Sequence, residues 1–165
     1  MYDFQPDESL DIAERYRQLL EAVDALTSDE PDPIANMANV AALIWEFVPD
    51  LNWAGFYRMG VGKDDGEELV LGPFVGRPAC IRIPVGAGVC GTAAETARTQ
   101  LVEDVHAFPG HIACDAASRS EVVVPVIRDG QVIAVIDLDS PLPARFSDLD
   151  AEGLERIASL LASRI

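Results

Sequence analysis

Long apolar runs are absent from this chain. Stretches such as Val122-Val123-Val124 and Val132-Ile133-Ala134-Val135-Ile136 are short. A membrane span needs about 20 such residues, so none is expected. The N-terminus, Met1-Tyr2-Asp3-Phe4-Gln5-Pro6-Asp7-Glu8, is acidic. It has neither the cationic start nor the apolar core of a secretory signal, which points to a cytoplasmic protein. Cationic residues are scarce: 12 Lys and Arg face 28 Asp and Glu, a formal net charge of −16. Nucleic acid is therefore excluded as the main partner, because binding it requires cations against phosphates. An anionic membrane surface is disfavoured for the same reason. Cysteine is scarce as well, with only Cys80, Cys90 and Cys114. An odd number in a reducing compartment does not suggest a structural disulfide framework. It leaves either inert thiols or thiols used in catalysis or redox sensing. Their separations match none of the close paired spacings of zinc motifs, so no metal site is expected. There is no phosphate-binding glycine-rich lysine loop. Gly86-Ala87-Gly88-Val89-Cys90-Gly91 fits G-x-G-x-x-G literally, but it lacks a βαβ setting and is read as chance.

The 165 residues, 49% apolar and 24% charged, suit one soluble domain, 1–165, with a substantial core. Two N-terminal helices are expected over about 8–48, because Leu10, Ala13, Tyr16, Leu20 and Val23, then Met37, Val40, Ala41, Ile44 and Val48, recur near a 3.6-residue period. Pro31 and Pro33 separate them. From about 52 to 140 the pattern turns to strands. They are expected at 52–59, 68–75, 79–84, 100–105, 121–128 and 131–139, with a turn over 60–66 around Lys63-Asp64-Asp65. A short helix of small residues is expected at 89–97. Asp129-Gly130 marks a tight hairpin. Ser147 or Asp148 caps a last helix over about 147–163. Consecutive strands joined by short turns predict an α+β fold with a largely antiparallel sheet and helices on one face.

Three groups of residues could carry chemistry. Cys114 lies in a polar, aperiodic loop over 104–119, with His111 and Arg119 nearby in sequence and Asp115 opposing them. Reactivity of a thiol depends on such surroundings and on access. Cys80 precedes an alternating Ile81-Arg82-Ile83 stretch and is either a resolving thiol at a strand edge or a small buried residue. Cys90 begins the small-residue helix, where burial is favoured. Among the carboxylates, Glu121 opens one apolar strand and Asp137 and Asp139 close another. Asp137 and Asp139 share a strand face because side chains alternate. They form either a polar strand end or a pocket that takes a cation or holds a carboxyl proton. Alternation also puts Trp53 and Tyr57 on one face, with Ala54 and Phe56 on the other.

Several stretches together resemble a known family. They are Asn52-Trp53-Ala54-Gly55-Phe56-Tyr57, Leu71-Gly72-Pro73-Phe74, Pro78-Ala79-Cys80-Ile81-Arg82-Ile83-Pro84 and Gly88-Val89-Cys90-Gly91-Thr92-Ala93-Ala94. Further along come Asp104-Val105-His106-Ala107-Phe108-Pro109-Gly110-His111-Ile112-Ala113-Cys114-Asp115, Ser120-Glu121-Val122-Val123-Val124-Pro125 and Asp137-Leu138-Asp139-Ser140-Pro141. Over about residues 35–155 the chain resembles the free methionine-(R)-sulfoxide reductases. Plain GAF domains share their fold but not the run around Cys114.

The resemblance implies a GAF-like single domain: a six-stranded antiparallel sheet, helices packed on one face and a ligand pocket on the other. It implies that Cys114 is the nucleophile, Cys80 the resolving thiol, and Cys90 a helper or alternative resolver. Glu121, Asp137 and Asp139 would be the acidic pocket residues, with Trp53 and Tyr57 in the pocket wall. The activity implied is reduction of free L-methionine-(R)-sulfoxide without a bound cofactor. An external dithiol, thioredoxin by analogy, would regenerate the thiols, and a homodimer is compatible with the family. The alternative is a GAF module that senses a small molecule or redox state without turnover.

Overall fold

Polar residues just outside the three longer helices mark where those helices begin. The computed structural model describes residues 6, 9–62, 66–110, 112 and 115–165. Helix α1 spans Ile12–Thr27, and the Asp11 side chain accepts from the Glu14 amide at 2.9 Å. The expected start near residue 8 and the turn residues Lys63-Asp64-Asp65 lie outside the described residues. Helix α2 spans Pro33–Phe47, with Pro33 in its first turn and Asp32 accepting from the amides of Ile34 and Ala35. Both devices satisfy N–H groups that a helix start leaves without partners.

Strands β1 (Trp53–Val61), β2 (Glu67–Gly76) and β3 (Arg82–Pro84) follow, then helix α3 (Gly88–Thr96), strand β4 (Gln100–Val102) and a single 3-10 turn at Val105–Ala107. Strands β5 (Ser120–Arg128) and β6 (Gln131–Ser140) form the expected hairpin, and helix α4 spans Asp148–Leu161. In the hairpin turn Asp129 and Gly130 have φ of 52° and 79°, the left-handed pair that a two-residue turn requires. The six strands form one sheet in the order β3-β2-β1-β6-β5-β4, with every neighbouring pair antiparallel.

Alternation divides the apolar side chains between two cores. Ala54, Phe56, Val122, Val124, Ile136 and Leu138 pack under α1, α2 and α4, against Leu19, Val23, Ile44, Leu154 and Ile157. On the opposite face Trp53, Tyr57, Leu69, Val123 and Val135 meet Val89, Cys90 and Ala93 of α3. The three longer helices thus share one face, and α3 covers part of the other. Its small residues allow that close approach. A Cβ on Gly91 would lie 2.5 Å from the Pro84 carbonyl oxygen, so glycine alone lets the turn close onto the helix. The G-x-G-x-x-G match is therefore a packing feature between β3 and α3 rather than a dinucleotide fingerprint.

A buried polar knot joins α1 to α4. Asp150 is fully buried; it accepts from the Tyr16 hydroxyl at 3.0 Å, from Arg145 Nη1 at 3.2 Å and from the Ser147 amide at 2.8 Å. Burial is tolerated because the carboxylate is both paired and hydrogen-bonded. One helical turn away, a Cβ on Gly153 would lie 2.3 Å from Tyr16 Cγ. Gly153→Ala should therefore lower stability by about 1–3 kcal/mol despite the better helix propensity of alanine. A urea-unfolding midpoint measured for both proteins checks this; an unchanged or higher midpoint would contradict the packing argument.

Candidate active site: a carboxyl cluster beside a buried thiol

Register brings the acidic residues together. Asp139 on β6 pairs with Glu121 on β5 and with Trp53 on β1, giving one row across three strands. Asp137 pairs with Val123 and Gly55 in the next row on the same face. Gly55 is glycine for lack of space: a Cβ there would lie 2.4 Å from Phe74 Cβ. Side-chain period and antiparallel register together therefore aim Glu121, Asp137 and Asp139 into one concavity. Trp53, Tyr57, Gly88 and Cys90 also line it.

The aromatic wall is stacked. The Trp53 ring lies 5.3 Å from Phe74 and 5.8 Å from Tyr57, centroid to centroid. Its Nε1 donates to the Arg77 carbonyl at 3.2 Å, which fixes the ring and satisfies its only donor. Asp115 and Ser118, from the long loop, close another side. Asn52 Nδ2 donates to Asp115 Oδ2 at 3.1 Å and to Ser118 Oγ at 3.0 Å. The Asp115 carboxyl lies below its ordinary range, chiefly because the Ala117 amide donates to it. The sequence alone assigns no role to Asn52 or Ser118, and to Asp115 only that of opposing the cationic residues near Cys114. Asn52 and Asp115 lay inside the family motifs, but no spacing rule links positions 52, 115 and 118.

The electrostatics run the other way deeper in. Glu121 and Asp137 are 7% and 5% exposed. Burial pushes both carboxyls well above the usual range, and charge on their acidic neighbours pushes them further. Asp139 is pushed up to about 7, first by burial, while a hydrogen bond from Ser118 opposes the rise. The Cys90 thiol lies 3.9 Å from Glu121 Oε1 and is raised well above its normal value by burial and then by Asp137 and Glu121. At neutral pH Cys90 is thus a protonated, buried thiol, as its position in the small-residue helix suggested. Asp137 Oδ1 is buried without a hydrogen-bond partner. Among the described residues, no Lys or Arg forms an ion pair with Glu121, Asp137 or Asp139.

The thiol segments flank this cluster. Pro78 and Ala79 line the pocket, and Cys80 packs half-buried at the edge of the same apolar cluster. Cys80 is disulfide-bonded, whereas Cys90 is free. Cys114 and His111 lie outside the described residues; Ile112 and Asp115, which line the pocket, flank Ala113 and Cys114 in sequence.

A six-stranded antiparallel sheet with a pocket under a short helix defines the GAF class, and the GAF domain family matches residues 35–165. Within that class the chain belongs to the free methionine-(R)-sulfoxide reductase family. It is 48% identical over 148 residues to the Escherichia coli free methionine-R-sulfoxide reductase, covering 90% of this chain and 87% of that protein. It is 42% identical over 158 residues to the Saccharomyces cerevisiae enzyme of the same name, covering 93% of this chain and 87% of that protein. The Neisseria meningitidis free methionine-R-sulfoxide reductase, solved in complex with its substrate, superposes with a TM-score of 0.91 at 43% identity, covering 99% of this chain and 95% of that one. Among the described residues, no helix is long and apolar enough to cross a membrane.

Carboxyls held protonated by burial make the fold sensitive to pH. An unfolded aspartate titrates near 3.8, and folded Asp139 titrates at about 7. Between those values the folded state binds more protons at Asp139, so the stability that this proton contributes is full below about pH 3.8 and is lost as pH rises through about 7. Asp139→Asn should flatten that fall. Urea midpoints at pH 5 and pH 7.5 for both proteins would check it; equal slopes would remove Asp139 from the explanation.

Proposed function

We propose that this chain reduces free L-methionine-(R)-sulfoxide to L-methionine by thiol chemistry. The carrying observation is the carboxyl cluster with no cationic partner among the described residues, at the floor of a pocket walled by stacked aromatics. An α-ammonium group supplies the missing positive charge. A peptide-bound methionine has no ammonium there, and its flanking backbone would have to enter the same pocket. The aromatic wall accommodates the methyl and sulfur end, since sulfur packs favourably on ring edges.

In this reading Cys114 is the nucleophile. Its thiolate attacks the sulfoxide sulfur while a cluster carboxyl protonates the oxygen, and the hydroxyl then passes to the cysteine sulfur as the methionine S–O bond and the transient S–S bond break. Carboxyls raised by burial retain a proton at neutral pH and are suited to that transfer. Others in the set remain ionised for the ammonium, because like charges in one site titrate apart. Methionine leaves and Cys114 carries the oxygen as a sulfenic acid. A second thiol condenses with it, releasing water and forming a disulfide. Cys80, half-buried at the edge of the pocket's apolar cluster, is assigned that role. An external dithiol of the thioredoxin type then restores both thiols by exchange. Each turnover thus converts sulfoxide and dithiol into methionine, disulfide and water. Cys90, buried and held protonated, serves as a helper rather than the first nucleophile.

Methionine release from the free R epimer with dithiothreitol, run beside the S epimer and a sulfoxide-containing peptide, tests the reading. Release is expected from the free R epimer alone. Cys114→Ser should abolish it, and Cys80→Ser should abolish the intramolecular disulfide seen after one equivalent of substrate. Binding without release or thiol oxidation in a folded, reduced protein would favour the sensor reading instead. Asp137→Asn or Glu121→Gln should raise KM by about 10–100-fold, the value of a charged hydrogen bond in a buried site. Steady-state kinetics check this, and an unchanged KM in both variants would remove the cluster from substrate recognition.

A further inference from the structure

Within the pocket, one soft donor and two hard donors meet. Cys90 arrives from α3, Glu121 from β5 and Asp137 from β6. One ligand atom of each lies within 4.8 Å of the others, and all three residues are buried. We propose that Cys90 Sγ and the Glu121 and Asp137 carboxylates form a binding site for one borderline-soft divalent cation of the zinc class. Spacing along the chain conceals such a site, because the three donors come from separate elements and none forms a close sequence pair.

The geometry is near what tetrahedral zinc takes. Bonds of about 2.3 Å to sulfur and 2.0–2.2 Å to oxygen place neighbouring ligand atoms about 3.3–3.6 Å apart. Cys90 Sγ and Glu121 Oε1 stand 3.9 Å apart. Closing the set needs only small side-chain rotations. Asp137 Oδ1 independently points to a ligand, since it is buried, lacks a hydrogen-bond partner and belongs to a side chain that lines the pocket. All three donors line the pocket, so an ion has an entry path and its fourth position faces that space. Thiolate ligation selects zinc, cobalt(II) or cadmium over magnesium and calcium, which require six or more oxygens. On binding, protons held by the thiol and carboxyls pass to solvent, and the metal takes the lone pairs they leave. Given the proposed function, a bound ion occupies the place of the substrate ammonium, so occupancy and turnover exclude each other. The site itself stands independently of that function.

The test uses the full chain carrying Cys80→Ser and Cys114→Ser under a phosphine reductant, so that Cys90 is the one remaining thiol. Cobalt(II) is titrated first. The expected result is saturation at one ion per chain, with a thiolate-to-cobalt charge-transfer band that zinc abolishes. Adding Cys90→Ser to this background should remove the band. It should also weaken zinc binding, measured against a chromophoric chelator, by at least about tenfold, a loss that even outer-shell changes produce. Adding Asp137→Asn instead should keep the band and weaken zinc by a similar factor. Circular dichroism confirms the fold of each variant. Absence of a charge-transfer band in the background chain would overturn the proposal. So would unchanged zinc affinity in folded Asp137→Asn, even if Cys90→Ser failed to fold. Because the background chain lacks the proposed nucleophile and resolver, neither outcome depends on turnover.

Discussion

Glu121, Asp137 and Asp139 share a low-dielectric wall where they cannot all be ionised together. Two carboxylates about 4–5 Å apart repel by roughly 3–4 kcal/mol at an effective dielectric of about 20. Burial adds to that cost for each ion. The fold responds by holding protons on the cluster, and Asp139, least enclosed, is pushed only to about 7. Much of the pocket's character follows from this constraint. The Cys90 thiol is kept neutral beside the acids, and an incoming cation gains its counter-charge by displacing protons that the cluster holds. Such preorganised demand for a counter-charge is common where perturbed groups cluster at functional sites.

The sheet provides the rigidity that keeps the acids together. Asp137 and Asp139 belong to β6, a central strand paired on both sides. Moving either carboxyl would require breaking pairing with β1 or β5. The opposite face of the same strand is anchored by Ile136 and Leu138 under the three longer helices. Leu138 between the two aspartates is thus a positional device: its burial on one side fixes the acids on the other. A one-residue slip would exchange the faces and bury the acids among the helices.

The buried acids on the two sides of the sheet are handled differently. Asp150 is surrounded by donors from Tyr16, Arg145 and Ser147, and ties two helices together. Asp137 is equally enclosed but keeps one oxygen without a protein partner. The first arrangement is self-sufficient, and the second is completed by something that enters the pocket. This contrast, within one domain, separates a structural carboxylate from one available for binding.

Most element boundaries were legible because the signals were local. Pro33 and Asp32 start α2, Asp129-Gly130 turns the β5–β6 hairpin, and Ser147 begins α4. Alternation correctly separated Trp53 and Tyr57 from Ala54 and Phe56, and aimed Asp137 and Asp139 one way. The resemblance carried by the motifs indicated the pocket face. Strand order was not local information. The last strand lies beside the first, with both of its edges paired, and only long-range packing decides that. The placement of α3 against the pocket, the meeting of Asn52 with Asp115 and Ser118, and the approach of Cys90 to Glu121 are likewise decisions of the tertiary structure. By itself the sequence determined which residues could face together along each element, through periods of 2 and 3.6 residues. Which of those faces met, and therefore how each carboxyl and thiol holds its proton, depended on burial and proximity that exist only once the chain has folded.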